Sequence, residues 1–256
     1  MPQTHVLNLK RDPIDRRDLM LGIERLAAGT RPKSVDLRSE LPEVWNQGNV
    51  GSCFAHAGAA CQAHQVFKES GEIITPSRLC LAVTTRSDEE SLDVDEGASL
   101  RGTVKAMARY GVPPETLWPY DVSKYFELPP SSVLAQAEKW QALKYYRIPV
   151  GRHAPELFRR ALAAGFIVMF GAALYDSFEA DEVAKSGRVP MPDLTAETLL
   201  GGHAMAAVGY DVDLLVRNSW GPEWGEGGYC RMPDAYFADP DLLWDAWVVS
   251  LTEIGQ

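Results

Sequence analysis

The chain changes its periodicity once along its length, and that change limits the folds open to it. From Ser52 to Gly71 it reads SCFAHAGAACQAHQVFKESG, a run of Ala and other good helix formers that a glycine stops. Further helices are expected near Pro76 to Thr85 and from Leu100 to Tyr110, the latter closed by Gly111. Beyond PPSSV at 129–133 the signature differs. ALKYYRIPV, FIVMFGAAL, HAMAAVGYD, LLVRNSW, GGYCRM and AWVVSL are short segments rich in Val, Ile and aromatic residues, which read as strands. One amphipathic helix, APELFRRALAAG, lies among them and ends at Gly165. A helical segment followed by a β-rich one is an α+β arrangement. Three parts are therefore expected: an N-terminal arm over residues 1–34, with a short helix around Asp18 to Ala28; a mainly helical lobe over 35–130; and a β-rich lobe over 131–256. Two lobes meeting at a seam leave a cleft for a ligand.

Ser52 has the chemistry of an N-cap, which puts Cys53 in the first turn of its helix. The unpaired N–H groups and the dipole of a helix start favour a thiolate. A cysteine on an Ala-rich helix is by itself more often buried and inert. Other residues change that balance. Gln47 lies six residues upstream in QGNVGSCF, where glycines allow a tight backbone path. Its amide and the Cys53 N–H are candidate donors to an oxyanion. His203 heads an apolar strand in GGHAMAAVGYD, and Asn218 follows in VRNSWGPEWGEGGY. An asparagine can accept the imidazole N–H and aim the other ring nitrogen at the thiol. Trp220 is placed to cover that hydrogen bond from water.

These segments resemble the papain family of cysteine peptidases. QGNVGSCF is similar to its nucleophile segment, GGHAMAAVGYD to its histidine segment, and RNSWGPEWGEGGYCRM to its asparagine segment; EGASLRGTVKAMARYGVPPETLWPYD also matches the stretch between its helices. The order Cys, His, Asn is kept, with His203 at 150 and Asn218 at 165 residues beyond Cys53. The resemblance covers roughly residues 34–250 and is nearest a bacterial-type branch without disulfides, in which an RD-rich stretch like RDPIDRRD precedes the enzyme. It implies a two-lobed fold, a helical lobe plus an antiparallel, barrel-like β lobe, with the active site between them. It implies catalysis by Cys53, His203, Asn218 and Gln47, and substrate contacts at Ala98, Ser99, Leu100, Gly202 and Trp220. The pocket for the second residue before the cut would lie near Ala98, Ser99 and Leu100 on one side and Gly202 on the other, open to an apolar side chain. Val50, Phe54 and His56 depart from the family's usual residues, yet none removes a catalytic group.

The expected activity is hydrolysis of peptide bonds through a thioester on Cys53, with a peptide or protein as substrate and no cofactor. An acyl transferase or amide ligase would use the same triad with an amine acceptor, and a catalytically silent peptide-binding protein is a further alternative. Zinc is a rival use of Cys53, His56, Cys61 and His64, but one straight helix cannot wrap four ligands tetrahedrally around an ion, so no metal site is expected. A formal net charge of -10 argues against nucleic acid and anionic membranes as partners. No apolar run reaches bilayer length, and MPQTHVLNLKRDPIDRRDL lacks the apolar core of a secretory signal. Four scattered cysteines are no disulfide framework, so a cytoplasmic setting is expected. Residues 1–34 carry seven basic and four acidic residues, a net of +3 against -13 for the remainder. This arm is expected either to dock in the cleft as a short inhibitory segment or to pack along the β lobe.

Overall fold

In the computed structural model, which describes residues 5–22, 26, 30–142 and 144–250, the molecule is organised around one long helix. This helix, α1 (Cys53–Ser70), is buried at every position from Cys53 to Val66. Its small alanines let neighbours close in on every side, its buried His56, Gln62 and His64 are hydrogen-bonded, and α1 packs against α2 (Arg78–Asp88), α3 (Leu100–Arg109) and the sheet. Gly58 permits the approach: a Cβ there would lie 2.9 Å from Thr103 Cγ2 and 3.0 Å from Leu81 Cδ2. Gly71 ends the helix in the left-handed region at φ 74°. Ser77 and Ser99 cap α2 and α3, each accepting a backbone N–H three residues on.

The second half supplies an antiparallel sheet. Its order is β2 (Lys144–Arg147), β7 (Leu243–Ser250), β3 (Val168–Tyr175), β4 (Leu199–Tyr210), β5 (Leu214–Arg217) and β6 (Tyr229–Met232). A two-residue strand, β1 (Val35–Asp36), also pairs with β4, so the sheet recruits chain from before the helices. Central β3 is apolar on both faces because both are covered. Phe170 packs with Phe158 of α5 (Ala154–Ala163) and Phe237 of α7 (Asp234–Ala238). The next residue, Gly171, faces the opposite way, toward Leu9 and Leu100. This α+β architecture matches the expectation. Three short helices, α4 (Ser131–Ala137), α6 (Asp181–Ser186) and α7, go beyond it. PPSSV reads as a crossover, but Pro130 stands at the N-cap position of α4, where a proline loses no helical hydrogen bond.

The arm does not form the expected helix at its start. Met20 instead bridges Arg147 of β2, and Leu21 N–H donates to the Arg147 carbonyl at 2.8 Å. Residues 23–25, 27 and 28 of that expected helix lie outside the described residues. Residues 12–21 act as a strap. Asp18 takes charge-assisted hydrogen bonds from Arg101 of α3 and Arg147 of β2, at 2.9 Å each. Asp12 accepts from the Arg101 N–H at 2.9 Å and from Trp247 Nε1 at 2.8 Å. Asp245, buried beside them, takes the Asp12 N–H and a bond from Arg147. These grips reverse the electrostatics expected from composition: the buried contacts are made by the arm's carboxylates, not its basic residues.

Candidate active site

Cys53 is the first residue of α1, and its thiol is fully buried. Ser52 holds the N-cap position but its side chain caps nothing. Its hydroxyl pairs with Tyr120 Oη at 2.7 Å, and its carbonyl accepts from His56 Nδ1 at 3.0 Å. The amides of the first turn are thus left without a side-chain acceptor at the point where negative charge would develop. The Cys53 and Phe54 N–H groups, with that of Ala204 beside His203, favour the thiolate. Burial outweighs them and pushes the thiol up to about 11. Position at the helix start alone predicts a lowered value, so enclosure dominates in this state.

His203 lies on β4 opposite Ala172 of β3. Its Nε2 bonds Asn218 Oδ1 at 2.8 Å, in a fully buried contact. Asn218 Oδ1 also accepts the Ser219 N–H at 2.8 Å, which fixes the amide with its oxygen toward the ring. His203 Nδ1 has no partner, leaving that nitrogen free to exchange a proton. Burial drives the imidazole down to about 4, against the opposing pull of the Asn218 bond. Trp220 packs over the histidine, ring centroids 5.0 Å apart, and is itself walled by Trp224 and Phe178. Gln47 is fully buried: Nε2 donates to the Val50 carbonyl at 3.0 Å, and Oε1 accepts from Ser219 Oγ at 2.6 Å. One of its two amide hydrogens remains for a ligand. The Gln47 N–H bonds the Ser219 carbonyl, so the loop before α1 and the loop after β5 are stitched together.

Residues 5–10 of the arm run along this site. His5 stacks on Trp220 with centroids 3.6 Å and planes 3° apart. Asn8 bridges Gly202, and its amide donates to the Asp95 carbonyl at 3.1 Å. The Leu9 N–H bonds the Gly202 carbonyl at 3.0 Å, and the Lys10 N–H bonds the Ala98 carbonyl at 3.1 Å. Leu9 is 5% exposed, its side chain beside Gly171 and Leu100. Ala98, Ser99, Leu100, Gly202 and Trp220 therefore all face one ribbon of chain, and they use mainly backbone to do so. The Ser99 hydroxyl is spent on capping α3 and on Glu89.

Asp95 was not singled out from the sequence. It accepts the Gly51 N–H at 2.9 Å and both Asn8 and Tyr125 side-chain donors, tying the pre-helix loop to the arm. One acid among three in SLDVDEGAS carries no local signal of that role. Three of the four potential zinc ligands on α1 take separate partners: His56 with Ser52, His64 with Glu40 at 2.9 Å, and Cys61 with the Ile167 carbonyl. Among the described residues no group of His, Cys, Asp or Glu is arranged to hold a metal. All four cysteines are free, and among the described residues no helix is long and apolar enough to cross a membrane.

The profile described as papain family cysteine protease matches residues 31–237. A peptidase C1-like protein of Acanthamoeba polyphaga mimivirus is 35% identical over 92% of this chain and 83% of its own. Human cathepsin L2 is 27% identical over 78% of this chain, which spans only 60% of the cathepsin's length. Among solved structures, xylellain, a cysteine protease from Xylella fastidiosa, superposes with a TM-score of 0.84 over 96% of both chains at 29% identity. The chain belongs to the papain family of cysteine proteases.

Proposed function

We propose that this papain-family chain hydrolyses peptide bonds through a thioester on Cys53, and that residues 5–10 keep it closed until they are displaced. The observation that carries the first part is the buried His203–Asn218 pair at 2.8 Å, with Nδ1 left free on the ring of a residue next to the Ala204 amide that favours the Cys53 anion. Once the arm lifts, water reaches the site and the cost of charging both groups falls. Cys53 gives its proton to His203 Nδ1 and attacks the substrate carbonyl carbon. The Cys53 N–H and the spare Gln47 amide hydrogen take the oxyanion. His203 returns the proton to the leaving amine, the C–N bond breaks, and water deprotonated by His203 releases the acyl group.

The direction of the arm supports a blocking role. It runs from Trp220 past Gly202 to Ala98, pairing in parallel with both Gly202 and Ser99. A substrate whose acyl half lies by Leu100 would run the other way, so the arm covers the site without offering a carbonyl in the productive sense. Leu9 fills the space beside Leu100 and Gly171, which supports an apolar side chain as the residue preferred there. Four free, buried thiols fit a reducing compartment such as the cytoplasm.

The test is covalent. An epoxide peptide probe should label Cys53 in preference to Cys61, Cys80 and Cys230 once the arm is loosened, and Cys53→Ala should abolish peptide turnover. Turnover by Cys53→Ala at the unsubstituted rate would sink the assignment. Coupling of the acyl group to an added amine in preference to water would instead favour the acyl-transferase alternative.

A further inference from the structure

Beyond His203, away from Leu100, a pocket of about 300 Å³ opens beside Trp220. Its walls are Trp220, Trp224, Ala184 and three acids, Glu179, Asp181 and Glu223; the remaining wall is His5 of the arm. No Lys or Arg lines it. Neither Asp181 nor Glu223 forms an ion pair among the described residues, and Glu179 bonds only His5 and lies on the solvent side. The chain already seats one group there. The His5 ring lies flat on Trp220, and its Nδ1 donates to Glu179 Oε1 at 3.1 Å. The arm thereby marks out a geometry: a planar nitrogen-bearing group sandwiched on an indole face, with a carboxylate at its edge.

We infer that this pocket receives the leaving half of the substrate and selects a cationic side chain, Lys or Arg, within two residues after the cut. The inference rests on the proposed peptidase reading, which fixes which side of His203 the leaving half occupies. A guanidinium or ammonium gains from the indole face and from the nearby carboxylates together. A Glu or Asp side chain at the same place would meet three like charges, and that repulsion contributes to discrimination as much as the attraction does. His5 is a weaker occupant than either cation: burial holds its pKa below the ordinary value despite Glu179, so it is seated as a neutral hydrogen-bond donor and is readily displaced.

Two measurements test this. In the full chain, His5→Lys should tighten the arm and slow iodoacetamide alkylation of Cys53 by about threefold or more, while His5→Glu should speed it by a similar factor. Adding Glu179→Gln, Asp181→Asn and Glu223→Gln together should flatten that difference. In full chain loosened by Leu9→Ala, two peptides with Leu second before the cut, one with Lys and one with Glu after it, should differ by about tenfold in kcat/KM in favour of Lys. Equal alkylation rates for the two His5 variants, or equal cleavage of the two peptides, would overturn the inference while leaving the peptidase reading intact. Alkylation in the expected order with no cleavage of either peptide would support the pocket's preference and count against the peptidase reading.

Discussion

Replacing Leu9 by Ala should uncover Cys53 without touching a catalytic group. Leu9 is 5% exposed and fills the space beside Gly171 and Leu100. Truncating a buried leucine costs about 2–5 kcal/mol. The lower part of that range applies here, because a cleft admits water where a core does not, so about 2–3 kcal/mol of the arm's grip is lost. At 1.4 kcal/mol per tenfold, the open population rises roughly 30- to 100-fold. The closed chain contributes little reactivity of its own. With burial holding the thiol near 11, on the order of one thiol in 10⁴ is ionised at pH 7. Alkylation therefore proceeds through the open form, and its second-order rate reports the opening equilibrium. Iodoacetamide labelling of Cys53, followed by mass spectrometry at fixed pH, should accelerate by that factor in Leu9→Ala. Cys61, Cys80 and Cys230 are buried elsewhere and should keep their slow rates. An unchanged Cys53 rate accompanied by a lower Tm would refute the reasoning, since Leu9 would then be part of the global core and not of a separable cover.

Asn218→Ala removes the acceptor of a buried imidazole N–H, a loss of about 1–3 kcal/mol. In the Leu9→Ala background, kcat should fall roughly 10- to 100-fold with KM nearly unchanged; an unaltered kcat would exclude an orienting role. Asp245 predicts a pH dependence of stability. Burial first, then the neighbouring Asp12, raises its carboxyl to about 6 from an ordinary value near 4. The native state then binds the proton more tightly than the unfolded chain does, so the stability due to Asp245 is full below about pH 4 and declines as pH rises through 6. The unfolding free energy of the wild type minus that of Asp245→Asn should fall across that window in urea titrations, and a difference that rises with pH contradicts the assignment. Gly58→Ala should lower Tm although alanine is the better helix former. The gain of about 1 kcal/mol in propensity is smaller than the cost of forcing a methyl to 2.9 Å from Thr103, about 1–3 kcal/mol.

Much of the site was legible because its signals are local. A helix start with a cysteine, an apolar strand carrying a histidine, and a glycine-rich turn after Asn218 each declare their geometry within a few residues, although His203 sits inside its strand and not at the head expected of it. The sheet's strands were legible for the same reason, as short runs of aliphatic and aromatic residues. What stayed hidden depends on long-range pairing. Asn8 and Gly202 meet across nearly the whole chain, and nothing in THVLNLK announces a partner so far away. Ser52 has the composition of a cap, but Tyr120, brought in from another loop, claims its hydroxyl. The lowered pKa expected of Cys53 from its helix position is outweighed by burial, which depends on chain brought in from far along the sequence. RDPIDRRD was visible as a pattern, yet its purpose appears only when Asp12 and Asp18 are seen between Arg101 and Arg147.

That seating divides the arm into two devices with different fates. In the proposed function residues 5–10 are the shutter, held by a few backbone bonds and by the side chains of His5, Asn8 and Leu9. Residues 12–21 are a keystone: Asp18 grips a helix on one side of the seam and a strand on the other, so the aperture of the cleft is set by the chain's own beginning. Trimming back to Lys10 would leave a gate without its shutter and the frame intact. Trimming past Leu21 would remove the keystone as well, leaving Arg101 without Asp18, Arg147 with only Asp245 of its two carboxylates, and Trp247 Nε1 without its acceptor. Under the proposed function, the segment that covers the site is continuous with the segment that ties α3 to β2, so a cut between them would separate closure from folding.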